Sequence, residues 1–473
     1  MATRDPSVKS IVASALGDGR VGRTTDAPPP FDGRGVLMDT ASAVAAAATG
    51  FREFSEVGLE KRRAIIEAMR RAALERVAAI SRMAVEETGL GRVDDKVRKN
   101  ALAATRTPGV EDLEPVAFSG DHGLTLVERA PYGVIGAITP STNPTETVIS
   151  NGISMVAGGN AVVFSPHPAA RVVTLTVIDL LNRAIAEAGG PRALLFSVSA
   201  PSVAAAQELM AHPGVRLLVV TGGPAVVRAA MHSGKKVIAA GPGNPPVVVD
   251  ETADIGRAAR DIVAGAGLDN NIVCIAEKEI IAVRRIAADL KAALATAGAY
   301  ELRGQAIERI TRLVVRTDAG PGRPSEIARE FVGRDAAVIL GAAGISCPPD
   351  ARIAFFETDA SHPLFWTEQM MPVIPLVAVD TADEAIDLAR EAEGRCGHTA
   401  VMHSTCVTNL SRMAKTMNVS IFVKNGPSYA GLGFGGEGFT SFTIASPTGE
   451  GITSARTFTR ERRCTLVDSF RIV

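Results

Sequence analysis

The stretch Gly133-Val-Ile-Gly-Ala-Ile138, followed at once by Thr139-Pro-Ser-Thr-Asn-Pro144, opens the region that decides the fold. From Tyr132 to Ala240, short apolar runs alternate with segments whose apolar residues recur at helical spacing. This alternation predicts βαβ units and a parallel sheet, with a nucleotide site in the crevice at the carboxyl ends of the strands. The predicted strands span residues 133–138, 161–164, 193–198, 216–220 and 236–239, and the predicted helices span 146–156, 169–188, 201–211 and 224–232.

A second alternating block begins at Pro246, which indicates a second α/β domain with its own sheet. Cys274 falls between a predicted helix and a predicted strand of this block, so we expect it on a loop that a rigid scaffold holds. The predicted strands span residues 247–250, 279–283, 337–340 and 373–379, and the predicted helices span 255–264 and 286–297.

The residues before the first block predict a helical scaffold and a protruding hairpin. The pattern is helical from Thr40 to Arg106, with one long helix over residues 56–87. Between Val116 and Glu128, two β-prone runs flank Ser119-Gly-Asp-His-Gly123, which is typical of a hairpin. Because an isolated hairpin is only marginally stable, we expect a partner chain to cover it.

The N-terminus predicts a short amphipathic helix, with Asp5 as its cap, Pro6 in its first turn and Gly17 as its stop. A tether rich in glycine and proline follows as far as Gly35. Such a helix either packs on its own domain or docks on another protein, and the tether favours the second alternative.

Charge and cysteine usage exclude several classes of function. The 473 residues carry a net charge of −1 at pH 7, so no basic surface indicates nucleic acid or an anionic membrane. The longest uncharged stretch, residues 147–170, contains Asn151 and a Gly-Gly-Asn turn, which a membrane-spanning helix tolerates poorly. The cysteines are scattered, which fits neither a disulfide framework nor a zinc knuckle. We expect a small-molecule partner and, since no secretory signal is visible, a cytoplasmic location.

Cys274 lies in the run Asp269-Asn-Asn-Ile-Val-Cys-Ile-Ala-Glu-Lys278, and upstream the stretch Ala239-Ala-Gly-Pro-Gly-Asn-Pro-Pro246 contains no acid. Together they suggest a thiol nucleophile with no carboxylate beside it to activate water. An acyl group on such a cysteine needs a second nucleophile. A thiol such as coenzyme A can attack without strong base help, because it is partly ionised near neutral pH. From spacing alone, however, a lone cysteine is more often a small buried apolar residue.

Other candidate motifs are weaker. No Gly-x-Gly-x-x-Gly follows the first predicted strand, so the usual dinucleotide fingerprint is missing. The looser run Thr221-Gly-Gly-Pro224 opens a predicted helix whose backbone N–H groups suit a phosphate, although such a run is often only a turn. His398 and His403 are close in sequence, but no carboxylate or third ligand accompanies them at metal-binding spacing. We therefore expect no metal and a structural role for both histidines.

Several longer strings are specific enough to identify a family. They are Thr139-Pro-Ser-Thr-Asn-Pro144, Gly241-Pro-Gly-Asn-Pro-Pro246, Asp269-Asn-Asn-Ile-Val-Cys-Ile-Ala-Glu-Lys278, Trp366-Thr-Glu-Gln-Met-Met-Pro372, Phe422-Val-Lys-Asn-Gly-Pro-Ser-Tyr-Ala-Gly431 and Thr448-Gly-Glu-Gly451. With these strings, the chain from about Thr40 onward resembles the aldehyde dehydrogenase superfamily, and within it the coenzyme A-acylating aldehyde dehydrogenases of bacterial microcompartments, of the propanediol- and ethanolamine-utilisation type.

The resemblance implies an α/β aldehyde dehydrogenase fold, with two Rossmann-like domains of parallel sheet and an oligomerisation flap. The nucleotide-binding domain would span residues 25–240 and include the flap hairpin at about 114–131. The catalytic domain with Cys274 would span residues 241–430, and residues 431–473 would return to the nucleotide domain and end in the oligomerisation strand. Residues 1–24 resemble the encapsulation peptides that direct such enzymes into microcompartments.

The resemblance also implies roles for single residues. Cys274 is the expected nucleophile, and Asn143 is expected to stabilise the oxyanion of the tetrahedral adduct together with the backbone N–H of Cys274. Without the resemblance, a cap of the following helix is an open alternative for Asn143. Glu368 matches the position that binds the nicotinamide ribose. The other expected cofactor contacts, of which the two glycines match the pyrophosphate loop, are Thr139, Pro140, Ser165, Thr221, Gly222 and Gly223.

Two departures from the hydrolytic branch of the superfamily affect the expected chemistry. Where hydrolytic relatives have a glutamate general base, this chain has Ala239 and Gly241-Pro-Gly243, so water lacks a base. Where those relatives have a lysine for the adenine ribose, this chain has Ser165-Pro-His-Pro168, which leaves the choice between NAD and NADP open.

The expected reaction is the reversible oxidation of a short-chain aldehyde, propionaldehyde or acetaldehyde, with NAD and coenzyme A to acyl-CoA and NADH. It would proceed through a thiohemiacetal and an acyl-cysteine on Cys274. Two alternatives stay open: a hydrolytic aldehyde dehydrogenase that releases a carboxylate, and a non-catalytic nucleotide-binding scaffold of a microcompartment. The expected protein partners are further copies of the chain, in a dimer or tetramer, and shell proteins of a microcompartment that bind the N-terminal helix.

Overall fold

The computed structural model describes residue 29 and residues 31–473. The predicted N-terminal helix and most of its tether lie outside the described residues. Within the described part, no helix combines the length and the apolar character needed to cross a membrane.

The described residues form alternating helices and strands. The α-helices are α1 Thr40–Ser55, α2 Leu59–Glu75, α3 Val77–Thr88, α4 Val93–Arg106, α5 Pro144–Ala157, α6 Arg171–Glu187, α7 Val203–Ala211, α8 Pro224–Met231, α9 Ile255–Ala266, α10 Arg284–Thr296, α11 Gln305–Val314, α12 Ala336–Ala342, α13 Ala382–Ala392 and α14 Val407–Met417. The strands are β1 Val36–Leu37, β2 Val116–Gly120, β3 Gly123–Pro131, β4 Val134–Ile138, β5 Ala161–Ser165, β6 Leu195–Val198, β7 Leu217–Thr221, β8 Lys236–Ala240, β9 Pro246–Val249, β10 Glu279–Val283, β11 Ala299–Glu301, β12 Val315–Thr317, β13 Glu326–Ile327, β14 Ile353–Thr358, β15 Val373–Val379, β16 Thr399–His403, β17 Ile421–Lys424, β18 Ile444–Ala445, β19 Gly451–Ile452 and β20 Thr459–Val467.

The first of two compact units comprises the described residues up to Glu87, together with Val97–Ala240 and Phe439–Val473. Its large sheet has the strand order β1-β6-β5-β4-β7-β8, and all neighbouring strands are parallel. Strands β4, β5 and β6 consist entirely of buried residues, as parallel strands covered by helices on both faces do. The strands and helices predicted between residues 132 and 240 are confirmed, with ends that differ by a few residues.

The strand order of this sheet reverses at β4. The chain places β5 and β6 on one side of β4 and then places β7 and β8 on the other. In open parallel sheets, such a reversal leaves a crevice at the carboxyl ends of the strands, where nucleotides bind. The carboxyl ends of β5, β4 and β7 therefore form the expected binding edge.

The second unit comprises Thr88–Lys96 and Gly241–Gly438. Its sheet has the order β11-β14-β15-β10-β9-β16-β17 and is also parallel throughout. The strands predicted near β9, β10 and β15 are confirmed. The predicted strand at 337–340 is wrong, because these residues belong to helix α12. A short apolar run fits a buried helical turn as well as a strand, so its period could not separate the two.

The prediction of one long helix over residues 56–87 is also wrong, since the structure has two helices here, α2 and α3. Arg76, which follows α2, has φ −112° and ψ 11° and so leaves the helical region. Neither glycine nor proline marks this break. The local sequence therefore carries no stop signal at Arg76.

The predicted hairpin is confirmed as β2 and β3, which a turn at Asp121 and His122 connects. Strand β20 pairs with β3 in antiparallel register, from Thr459 opposite Pro131 to Val467 opposite Gly123. We call the sheet β2-β3-β20 the flap. It belongs to the first unit, and its exposed apolar side chains include Val116, Phe118, Leu466 and Val467.

Candidate active site

Cys274 lies on the loop between α9 and β10, in the second unit. Its neighbours Val273 and Ile275 are buried, whereas Cys274 itself is partly exposed. The residue is therefore not a closed-core cysteine, which was the alternative that spacing alone allowed.

The backbone just before Cys274 is unusual. Asp269, Asn270 and Asn271 have φ values of 48°, 54° and 67°. This is the left-handed region, which Asn and Asp tolerate better than other residues with a Cβ. All three are buried. Three such residues in a row persist only where their surroundings hold them.

Asp269 and Asn270 are held by a segment far away in sequence. The Asp269 carboxylate accepts hydrogen bonds from the backbone N–H of Arg92 (2.7 Å) and from Nζ of Lys96 (3.1 Å). The side chains of Lys96 and Asp269 are both fully buried. Oδ1 of Asn270 accepts from Nε of Arg92 (3.0 Å). The segment that contains Arg92 and Lys96 therefore fixes the start of the loop.

Asn271 is held from the other side by Lys278. Nζ of Lys278 donates to the backbone O (2.7 Å) and to Oδ1 (2.6 Å) of Asn271, and Nδ2 of Asn271 donates to the backbone O of Glu277 (2.9 Å). Burial lowers the pKa of Lys278 to about 8, while the negative charges of Glu368 and Cys274 act in the opposite direction. The ammonium of Lys278 thus lies within electrostatic reach of the Cys274 sulfur.

Glu277 makes structural contacts of its own. Its carboxylate accepts from the backbone N–H and from Oγ of Ser428, each at 2.8 Å. Burial raises the pKa of Glu277 to about 7, although these hydrogen bonds lower it in part. The group therefore ties the end of the Cys274 loop to the segment around Ser428.

Gly243 brings three groups together beside Cys274. Its backbone N–H donates to Oε1 of Glu368 (3.2 Å). A Cβ on Gly243 would lie 2.8 Å from the backbone O of Cys274 and 2.9 Å from the ring of His398, so only glycine allows this approach. Burial raises the pKa of Glu368 to about 7. Although residues 239–246 contain no acid, the carboxylate of Glu368 therefore lies beside them.

His398 is fully buried next to Gly243. Its Nδ1 lies 2.8 Å from Oγ1 of Thr399, and its Nε2 has no hydrogen-bond partner among the described residues. Burial lowers its pKa to about 4, so the ring is neutral near pH 7. The structural role expected for His398 stays a prediction, and its closeness to the backbone of Cys274 follows only from the fold.

A second cysteine of the same unit, Cys396, differs from Cys274. Burial raises its pKa to about 12, and the charges of Glu393 and Glu368 add to this effect. Because the thiolate is the nucleophilic form, Cys396 is a poor nucleophile at neutral pH.

The expected cofactor residues of the first unit meet at the carboxyl edge of its large sheet. Thr139 and Pro140 follow β4, and Ser165 ends β5. The backbone N–H of Thr139 donates to the backbone O of Ser165 (3.1 Å). Oγ1 of Thr139 is buried and has no hydrogen-bond partner among residues 31–473. An orphaned hydroxyl is uncommon in proteins and fits a site that a ligand completes.

The glycine turn lies at the end of the neighbouring strand β7. Oγ1 of Thr221 bonds to Oγ1 of Thr443 (2.9 Å), and the N–H of Gly222 donates to the backbone O of Ala240 (3.3 Å). Gly223 caps helix α8, and no atom lies within 4 Å of the position of its absent Cβ. Space is therefore open beside the N-terminus of this helix, the kind of position where backbone N–H groups bind anionic groups in proteins.

Asn143 also lies in the first unit, directly before α5. Its side chain does not cap that helix, so the capping alternative is wrong. Instead, Oδ1 of Asn143 accepts from Nζ of Lys99 (2.5 Å), and Nδ2 donates to Oγ1 of Thr142 (3.2 Å).

The structure thus places the expected site residues in two groups. The second unit holds Cys274 and Glu368 near Gly243. The first unit holds Asn143 together with Thr139, Pro140, Ser165, Thr221, Gly222 and Gly223. Sequence reasoning missed Arg92, Lys96 and Lys99, since their partners are distant in the chain.

These two parallel sheets, with a nucleotide-type edge in one unit and a partly exposed cysteine loop in the other, define an α/β protein of the dehydrogenase class. The chain belongs to the aldehyde dehydrogenase family, which residues 34–454 match. It is 51% identical over 440 residues to the acetaldehyde dehydrogenase (acetylating) EutE of Salmonella typhimurium, which covers 93% of this chain and 94% of that protein.

Solved structures agree with this assignment. The propionaldehyde dehydrogenase of Rhodopseudomonas palustris, with bound CoA and an acylated cysteine, is 50% identical and superposes with a TM-score of 0.89 over 92% of this chain and 98% of that one. The propionaldehyde dehydrogenase of the Clostridium phytofermentans fucose utilisation microcompartment is 46% identical, with a TM-score of 0.90 over 93% of this chain and 100% of that one. The family and the fold expected from the sequence are confirmed.

Proposed function

We propose that this protein oxidises a short-chain aliphatic aldehyde with NAD and coenzyme A to acyl-CoA and NADH, reversibly. The observation that carries the proposal is the partly exposed Cys274, on a loop that begins with three buried residues of left-handed backbone. The chain is also similar to a protein whose structure holds both CoA and an acylated cysteine. Acetaldehyde and propionaldehyde are the proposed substrates, since the relatives described above carry these names.

Cys274 is proposed as the nucleophile. Its sulfur adds to the carbonyl carbon of the aldehyde, and the carbonyl oxygen becomes the oxyanion of a thiohemiacetal. The nearby ammonium of Lys278 favours the thiolate over the thiol, because an opposite charge stabilises the ionised form. Asn143 is proposed to donate a hydrogen bond to the oxyanion, as such donors do in acyl-transfer sites.

The nucleotide edge of the first unit fits a nicotinamide dinucleotide. The orphaned hydroxyl of Thr139 and the open N-terminus of α8 at Gly223 are the observations that support this fit. Thr139, Pro140, Ser165, Thr221 and the two glycines would hold the dinucleotide, and Glu368 would bind its ribose. When bound, NAD accepts the hydride that leaves the carbon of the thiohemiacetal.

The loss of hydride leaves an acyl-cysteine, which is a thioester. The thiolate of coenzyme A attacks its carbonyl carbon, the bond to the sulfur of Cys274 breaks, and acyl-CoA leaves. Because one thioester replaces another, the exchange is nearly balanced in free energy, and the whole reaction can run in both directions. Of the groups beside Gly243, His398 has an Nε2 without a hydrogen-bond partner among the described residues, and it is proposed to accept the thiol proton of coenzyme A.

The test measures NADH by its absorbance with C2 to C4 aldehydes, with NAD or NADP, and with or without coenzyme A. The wild type should need coenzyme A for steady turnover. Cys274→Ala should lose about 1,000-fold or more in rate, as removed nucleophiles do, whereas the control Cys464→Ala, at an exposed position of β20, should keep full rate. Equal NADH formation without coenzyme A would favour hydrolysis, and an active Cys274→Ala variant would refute the assignment.

The flap is proposed to bind another copy of the chain in a dimer or tetramer. In the single chain, the Phe118 side chain of the flap is 59% exposed, which is unusual for so large an apolar side chain. In light scattering, Phe118→Glu should give smaller particles than the wild type. The control Val407→Glu, at an exposed position of α14, should not. A monomeric wild type would contradict the proposal.

We further propose that the protein works in the cytoplasm inside a bacterial microcompartment, with residues 1–24 bound to shell proteins. The support is the amphipathic pattern of these residues and the similarity to a microcompartment enzyme. Deletion of residues 1–24 should abolish co-purification with shell proteins and leave the specific activity intact. Unchanged co-purification would refute this role.

A further inference from the structure

Lys99 and Asn143 form a contact in the first unit that the proposed reaction does not yet use. Nζ of Lys99 donates to Oδ1 of Asn143 (2.5 Å) and lies 3.0 Å from Oε1 of Glu146. Lys99 is 3% exposed, Glu146 is 0% exposed and Asn143 is 8% exposed. A buried ammonium has lost its hydration, so the groups it contacts are held firmly.

The contact fixes the orientation of the Asn143 amide. An ammonium donates hydrogen bonds and accepts none, so the amide must turn its oxygen toward Lys99 and its nitrogen away. The backbone of Asn143 is fixed as well, because its carbonyl O accepts from the N–H (3.1 Å) and from Oγ1 (2.6 Å) of Thr147. Pro144 follows it at the start of α5. Rotation of the Asn143 side chain is the freedom that remains, and Lys99 restricts it.

We propose that Lys99 is a positioning residue for the oxyanion step, which holds the Asn143 amide so that the Nδ2 hydrogen that does not bond to Thr142 faces the developing negative charge. The ammonium also polarises the amide, which makes that N–H group a stronger donor. The proposal rests on the proposed function, because it needs an oxyanion to stabilise. A donor that is oriented before the reaction requires no reorganisation in the transition state. Without Lys99, the amide oxygen loses the donor that fixes it, and the 3.2 Å hydrogen bond from Nδ2 to Oγ1 of Thr142 holds the amide less firmly.

A purely structural role for Lys99, as the counter-ion of Glu146, makes different predictions. In that case, loss of Lys99 would lower stability, and a second change that removes the buried carboxylate would restore both stability and activity. If Lys99 positions Asn143, the second change restores stability alone. The pair Lys99→Met and Lys99→Met/Glu146→Gln therefore separates the two roles.

The experiment measures kcat and KM for the aldehyde, together with the thermal midpoint, for the full-length chain. Both variants should lose about 10- to 100-fold in kcat with little change in KM, since removal of a whole oxyanion donor costs about 100- to 1,000-fold. Only the double variant should unfold near the wild-type temperature. The control is Lys235→Met, because Lys235 lies in the same unit and its Nζ donates hydrogen bonds as well, to the backbone carbonyls of His212 and Val215. Its kcat should stay that of the wild type.

A double-mutant cycle with Asn143→Ala tests whether Lys99 acts through Asn143. Lys99→Met/Asn143→Ala should lose no more kcat than Asn143→Ala alone, since residues in one network are not additive. The rate of Cys274 alkylation by iodoacetamide, a reaction without an oxyanion, should be unchanged in Lys99→Met. Additive losses, or a wild-type kcat in Lys99→Met/Glu146→Gln, would overturn the role of Lys99. A wild type that is inactive with every aldehyde would instead refute the proposed function.

Discussion

Replacement of Asp269 by alanine is expected to destabilise the second unit and the loop of Cys274. The carboxylate accepts two hydrogen bonds, at 2.7 Å from the N–H of Arg92 and at 3.1 Å from the buried ammonium of Lys96. Removal of one partner from a buried ion pair costs about 3–5 kcal/mol. Alanine at φ 48° adds about 1 kcal/mol of backbone strain. We expect a loss of about 5 kcal/mol, which lowers the melting temperature of a unit of this size by about 15 °C.

The assay is differential scanning calorimetry, with the rate of Cys274 alkylation by iodoacetamide as a local readout. Asp269→Asn keeps the shape and tolerates the left-handed backbone, so it should lose less than Asp269→Ala. Asp269→Asn/Lys96→Met removes the buried ammonium as well and should recover part of the stability. A melting temperature of Asp269→Ala equal to that of the wild type, or no recovery in the double variant, would refute the reasoning.

Three further outcomes are expected. Because burial raises the pKa of Glu277 from 4.5 to about 7, its proton gives the fold a stability that is fully present below pH 4.5 and is lost as the pH rises through about 7. In urea titrations, Glu277→Gln should therefore gain stability relative to the wild type as the pH rises over this interval, and a constant difference would contradict the shift. Gly243→Ala places a Cβ 2.8 Å from the backbone O of Cys274, so it should lower the free energy of unfolding by about 1–3 kcal/mol and remove most of the aldehyde activity. The control Gly341→Ala, with open space around it, should retain the stability and the activity of the wild type. Mass spectrometry after brief alkylation at neutral pH should find Cys274 labelled and Cys396 unlabelled, because the pKa of Cys396 is about 12; equal labelling would contradict that value.

The sequence predicted those parts of the fold whose evidence is local. The strands β4, β5 and β7 are continuous apolar runs bounded by turns, and they are confirmed. The strand assigned to 337–340 was wrong because a short apolar run does not distinguish a helical turn from a strand, and the unbroken helix through Arg76 was wrong because no glycine or proline marks the break.

The candidate site shows the same division. Cys274, Asn143 and the glycine turn stand in recognisable strings, so the sequence could nominate them. Other contacts join residues that are far apart in sequence: Lys96 with Asp269 at 173 positions and Lys99 with Asn143 at 44 positions. The close approach of the His398 ring to the backbone of Gly243 is a third contact of this kind. No periodicity or motif contains such information, since it arises when the chain folds.

The backbone of residues 269–271 also limits which mutations this gene can accept. A β-branched or bulky residue at φ between 48° and 67° is strongly disfavoured, whatever space surrounds it. In a library that randomises these three codons, growth on an aldehyde-dependent medium should enrich asparagine, aspartate and glycine and deplete valine, isoleucine and threonine. Engineers who want a different substrate range are therefore better served by diversifying other positions and leaving this triplet unchanged.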